Sequence, residues 1–133
     1  MKFVHRAEAV VDLSASSDTT AYTLKAVGAG YVNVGEMFGR FEEAVAAGGF
    51  SSAAGVASLE IGGTEVATFT TGVAATARAI GDTAQLTLDG TVATDANSSV
   101  YFASGDDIVL KTQTAGTGGT VTGTIPFYLP ICW

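Results

Sequence analysis

The sequence predicts an all-β chain folded as a single antiparallel β-sandwich of jelly-roll-like form, and three observations carry that expectation. Near the C-terminal end, Val121, Ile125, Phe127, Leu129 and Ile131 are apolar at every second position, with Gly123 as the one gap, while Thr120, Thr122 and Thr124 fill the other parity. A period of two is what a strand with one buried face requires, because successive side chains point to opposite sides. Elsewhere, short alternating stretches are separated by turn residues with no alternation of helix and strand, which points to two packed antiparallel sheets. The composition agrees: 17 glycines and only 14% charged residues suit a β-rich chain with small side chains better than a helical bundle. At 133 residues the chain has the size of one domain, 1–133, and can bury a core without staples.

Taken in order, Phe3, Ala7, Ala9, Val11 and Leu13 share one parity and Arg6, Glu8 and Asp12 the other. Residues 1–13 therefore read either as an N-terminal arm that becomes a strand on binding or as an edge strand of the sandwich. Ser14 to Thr19 is a polar turn, after which Tyr22, Leu24 and Ala26 alternate with Thr23 and Lys25 until Val27-Gly28-Ala29-Gly30 breaks the pattern. From Tyr31 to Ala47 two readings compete. Met37, Phe38, Phe41, Ala44 and Val45 fall at helical spacing with Gly48 as a cap. Against a helix, Gly39 costs about 1 kcal/mol relative to alanine, and the β-prone Tyr31 to Val34 has no turn before Met37. The balance favours a long bent strand in which Gly35 and Gly39 mark bulges or close backbone approach.

Val56 to Ile61 reads as a strand, Gly62-Gly63 as a turn, and Glu65 to Thr70 as the return strand. Thr71 to Thr83 is alanine-rich and reads as a loop or a weakly marked strand. Leu86 and Leu88 then alternate with polar neighbours up to the Asp89-Gly90 turn signal, and Val100 and Phe102 share a parity before Ser104-Gly105-Asp106. Ile108 and Leu110 lie on the next strand. The run Ala115 to Gly119 supplies residues able to adopt positive φ, so this strand and the one from Val121 are expected to form an antiparallel hairpin.

Charge and chemistry narrow the function. Six basic residues against thirteen acidic ones give a net charge of −7, the opposite of what phosphate binding needs, so no nucleic-acid partner is expected. Arg6, Glu8 and Asp12 interrupt any signal-like apolar run, and no apolar stretch reaches the length of a membrane span, so no membrane partner is expected either. Cys132 is the single cysteine and reads as a buried small hydrophobe; His5, the single histidine, falls on the apolar parity at a strand edge. With those two at opposite ends and no G-x-S-x-G elbow, the chain is not expected to be an enzyme. Asp82, Asp89, Asp95 and Asp106-Asp107 match no calcium-loop spacing and read as ordinary turn chemistry, so neither a metal nor a cofactor is expected. The remaining candidates are aromatic: Tyr128 on the outward parity of the last strand, and Trp133. Such rings suit a subunit interface better than a sugar-stacking platform.

The chain carries T-L-K-A-V-G-A-G-Y-V at Thr23 to Val32, R-F-E-E-A at Arg40 to Ala44 and A-S-L-E-I-G-G at Ala57 to Gly63. They are followed by A-N-S-S-V-Y-F at Ala96 to Phe102, G-D-D-I-V-L at Gly105 to Leu110 and A-G-T-G-G-T-V-T-G-T-I-P-F at Ala115 to Phe127. This order of landmarks resembles a family of small virion proteins of tailed bacteriophages, the auxiliary head proteins, and its closing half is similar to their last two hairpins. The resemblance implies a capsid decoration or cement protein, located on the outer capsid surface of the virion, that binds the major capsid protein and assembles as a homotrimer. The candidate capsid- or subunit-contact residues are then Lys2, Phe3, His5 and Arg6, in a stretch able to add as a strand to a lattice, together with Tyr128 and Trp133. The alternatives are a glycan- or receptor-binding module and a neck or tail structural protein.

Overall fold

The computed structural model describes residues 4–41, 52–71, 79–89, 98–117 and 124–133. They form eleven strands: β1 (Val4–Asp12), β2 (Thr19–Lys25), β3 (Gly30–Asn33), β4 (Phe38–Arg40), β5 (Val56–Ile61), β6 (Thr64–Thr70), β7 (Thr83–Gln85), β8 (Thr87–Leu88), β9 (Ser99–Phe102), β10 (Asp107–Thr114) and β11 (Thr124–Cys132). A 3-10 turn, Val34–Glu36, lies between β3 and β4.

Two antiparallel sheets pack together. In the first, β11 is central: β1 runs along one edge through nine pairs, from Val4 opposite Cys132 to Asp12 opposite Thr124. Along the other edge lie β3, with Val32 opposite Ile131, and β4, with Gly39 opposite Phe127. β9 then pairs with β3, and β7 with β4. The second sheet has the order β2-β10-β5-β6-β8. With β3 and β4 taken as one interrupted strand, and β7 and β9 sharing the place beside it, the chain is an all-β sandwich of jelly-roll form. Among the described strands, consecutive strands lie in different sheets except across the 3-10 turn and the β5–β6 hairpin. That hairpin closes through Gly62 and Gly63 at φ +59° and +80°, the paired positive values that a type I′ turn requires.

The expected hairpin between the last two strands does not form. β10 has β2 and β5 on its two edges, whereas β11 lies in the opposite sheet. Gly116 N–H donates to the Leu13 carbonyl (2.7 Å) and Thr117 bridges to Ala53, so the start of the connection is tied to other loops instead of reversing on itself. Glycines let a chain turn, but edges already filled decide which sheet it enters.

The parity expected of β11 holds over its described side chains. Ile125, Phe127, Leu129 and Ile131 are fully buried, facing Leu59, Ile108 and Leu110 of the other sheet across the core; Val121 lies outside the described residues. Phe69 bridges the interior, edge-on to both Phe41 and Phe127. Thr112 takes an inward position on β10, and its hydroxyl is satisfied by donating to the Asp12 carbonyl (2.7 Å).

Residues 31–41 form strand, 3-10 turn and strand, the bent-strand arrangement, and no helix begins at Met37. Residues 42–47 of the competing helix lie outside the described residues. Gly35 sits in the 3-10 turn, and Gly39 marks a close approach: a β-carbon there would lie 2.6 Å from Ile125 Cγ2 and 2.8 Å from the Pro126 carbonyl oxygen. At the other end of the chain, Ala9, Val11 and Leu13 are buried, which makes β1 an edge strand built into the core. Most of the alanine-rich stretch, 72–78, lies outside the described residues.

Candidate functional site

Alternation decides what the first sheet shows on its outer face. The inward set of β11 leaves Pro126, Tyr128 and Pro130 outside, β1 contributes Glu8 and Val10, and β4 contributes Phe38 and Arg40. Pairing then sets them in rows. Glu8 lies opposite Tyr128, and the Phe127–Gly39 pair brings Phe38 to the other side of Tyr128, with Gln85 beyond it on β7. The Phe38 and Tyr128 rings lie 6.0 Å apart, tilted by 43°. Farther along the face, Tyr31 and Tyr101 make a second pair at 5.7 Å and 52°. Tyr128 is 49% exposed, Phe38 37% and Tyr101 61%.

Between them the face is indented. The 3-10 turn lifts the chain out of the sheet between Val32 and Gly39, leaving residues 128–130 of β11 without a strand partner on that side. Pro130 falls in this gap, where a missing N–H costs no ladder bond. The resulting open depression is lined by Glu36, Phe38, Arg40, Ile80, Tyr128 and Pro130. Gln85 holds its rim: Nε2 donates to the carbonyls of Val34 (3.2 Å) and Met37 (2.8 Å).

The outer face of the second sheet is chemically different. Lys111 bridges Asp18 and Glu60, each at 3.1 Å, Lys25 pairs with Asp107 at 3.0 Å, and the Gln113 amide donates to Glu65. The hydrogen bonds to Asp18 and then Glu60 hold the Lys111 ammonium above the usual lysine range, and burial pushes the Tyr22 phenol up. No large hydrophobic side chain is exposed on this face among the described residues. Nor do the described residues contain a group of three or more His, Cys, Asp or Glu side chains placed to hold a metal ion.

Of the residues singled out from the sequence, Tyr128 stands at the centre of the aromatic face. Trp133 is half-buried, edge-on to Phe102 at 6.1 Å, and so closes one end of the core instead of standing free. His5 and Arg6 occupy β1 register positions opposite Ile131 and Pro130, and Cys132 is buried. Lys2 and Phe3 lie outside the described residues. Sequence reasoning missed Phe38, Arg40 and Glu36, which depend on how β4 aligns with β11, and also Tyr101, whose alternation with Val100 and Phe102 was a usable signal. No protein-family model, curated protein or solved structure matches this chain. The reading of function therefore rests on the fold and on this face.

Proposed function

We propose that the protein is a structural component of a virion, a decoration or cement protein on the outer capsid surface of a tailed bacteriophage, and that it makes its assembly contacts through the outer face of the β11 sheet. One observation carries the contact face. Among the described residues six large hydrophobic side chains are exposed; Val10, Phe38, Tyr101 and Tyr128 stand on this face, Ile80 lines its depression, and the sixth, Val27, lies in the β2–β3 turn. Contiguous exposed apolar surface mixed with Tyr and Arg is the composition of a protein interface. The jelly roll recurs in viral capsid domains, though also in lectins and cupins, so it supports the virion reading only as an analogy of fold. The partners are the major capsid protein and further copies of the chain. Mass spectrometry of purified virions tests the proposal, combined with sedimentation of the purified protein with heads that lack it. Stoichiometric recovery with the heads is expected; absence from the virion would overturn the reading.

Two ring pairs on the face with the open depression, their exposed members Phe38, Tyr128 and Tyr101, also suit a glycan-binding surface, the second reading. The tilts of 43° and 52° argue against it, because neither pair presents a flat platform to a sugar ring. Retention on a glycan array, abolished by Tyr128→Ala, would favour this reading over the first.

A further inference from the structure

We propose that the occupant of this face is a second copy of the same chain, packed face to face about a two-fold axis along the row Glu8–Tyr128–Phe38–Gln85. The inference rests on the reading that the outer face of the β11 sheet is the contact face, and it adds what covers that face.

The symmetry is written in the residues on either side of the row. Glu36, the last residue of the 3-10 turn leading into β4, comes two residues before Phe38, and Arg40, on β4, two residues after it. On β11, Pro130 and Pro126 flank Tyr128 in the same way, and these residues line one depression. A two-fold axis lying in the face along the row exchanges the two sides. It sets Arg40 of each copy over Glu36 of the other, Pro126 over Pro130, and the Tyr128 and Phe38 rings against their own counterparts, with Glu8 meeting its own counterpart at the outer, β1 edge of the row. Two opposite-charge contacts then flank an aromatic centre, the arrangement in which Tyr and Arg contribute most to an interface.

Among the described residues neither charged end has an ion-pair partner. Glu36 and Arg40 are exposed, and the ion pairs among the described residues involve Lys25 and Lys111 with their acidic neighbours, not these two. An unrelated partner would need one sign or the other at these positions, with no reason for a balanced pair about a common centre. Self-recognition through one isologous patch does need it. Outer faces of twisted sheets pack readily at a spacing of about 10 Å, which brings long Arg and Glu side chains within reach of each other. The assembly is a two-fold pair in place of the threefold assembly that the resemblance implies.

Light scattering on the full chain during size-exclusion chromatography, together with sedimentation equilibrium, tests this. The native chain is expected to run as a dimer. Arg40→Glu and Glu36→Arg should each weaken the dimer by at least about tenfold, with unchanged circular dichroism. The double variant, and an equimolar mixture of the two single variants, should both recover the dimer, because each restores opposite charges across both contacts. A monomeric native chain at hundreds of micromolar, a trimer, or a dimer indifferent to both substitutions would overturn the inference. Its failure is separable from that of the virion reading. Protein recovered from virions with no charge-dependent dimer in solution sinks only the pairing; a charge-dependent dimer absent from virions sinks only the capsid role.

Discussion

Gly39 stands opposite Phe127 at the single position where β4 pairs with β11, so close that a β-carbon on it would meet Ile125 Cγ2 at 2.6 Å and the Pro126 carbonyl oxygen at 2.8 Å. Gly39→Ala should therefore cost about 1 to 3 kcal/mol through overpacking. Gly28→Ala is the control, since its β-carbon would meet only Trp133 Cδ1, at an ordinary 3.7 Å, and should change stability by less than about 0.5 kcal/mol. Urea denaturation compares the two. Equal midpoints would mean that β4 is free to move away from β11.

Neighbouring aromatics on β11 should respond in opposite ways. Phe127 is fully buried and Tyr128 half-exposed, so Phe127→Ala is expected to cost about 3 to 5 kcal/mol and Tyr128→Ala under about 1 in the isolated protein. Similar losses in a denaturant series would contradict the assigned faces.

Gln85→Met removes the donor shared by the Val34 and Met37 carbonyls while keeping the side-chain length. The part-buried Met37 carbonyl loses this donor, while the Val34 carbonyl keeps the Met37 N–H at 3.1 Å, and the change should cost about 1 to 3 kcal/mol. Hydrogen exchange should accelerate locally over residues 34–40, at the rim of the depression. Acceleration spread evenly over both sheets would show that Gln85 supports the whole sandwich and not this rim.

Alkaline pH should weaken the fold through two groups. Lys111, held by Asp18 and Glu60, and Tyr22, desolvated by burial, both bind their protons more tightly folded than unfolded. The stability each contributes is complete below its unfolded value, about 10.4 for lysine and about 10 for tyrosine, and is lost as pH rises through the folded value. Thermal melts across that range should show a falling Tm, with a shallower fall for Lys111→Met than for the native chain. An identical slope in that variant would rule out Lys111 as a contributor.

The sequence made the faces of single strands legible and left their partners hidden. Alternation sorted Ile125, Phe127, Leu129 and Ile131 inward because it reports one strand's relation to water, a local property. The Gly62-Gly63 hairpin was legible for a similar reason: two residues at positive φ dictate an immediate reversal into the same sheet. The glycines of Ala115 to Gly119 carry the same chemistry but serve a crossing between sheets, since both edges of β10 are taken by β2 and β5. Nothing local distinguishes the two uses. The helix-like spacing from Met37 failed to produce a helix at Phe38 to Arg40 because pairing with β11 and β7 won over weak propensity, with Gly39 as the marker. Half of the aromatic face was within reach by parity, at Tyr101 and Tyr128. Phe38, Glu36 and Arg40 were not, because their place beside Tyr128 depends on an alignment between segments about ninety residues apart.

The pairing of β1 with β11 has a consequence in time. Val4 and Cys132 are partners, so β1, once made, waits for β11, and a domain of this topology folds as a unit and not strand by strand. The aromatic face draws on β1, β4, β9 and β11 together, and a nascent chain cannot present it. β11 must be made before association can begin, and this order of events follows from strand topology alone.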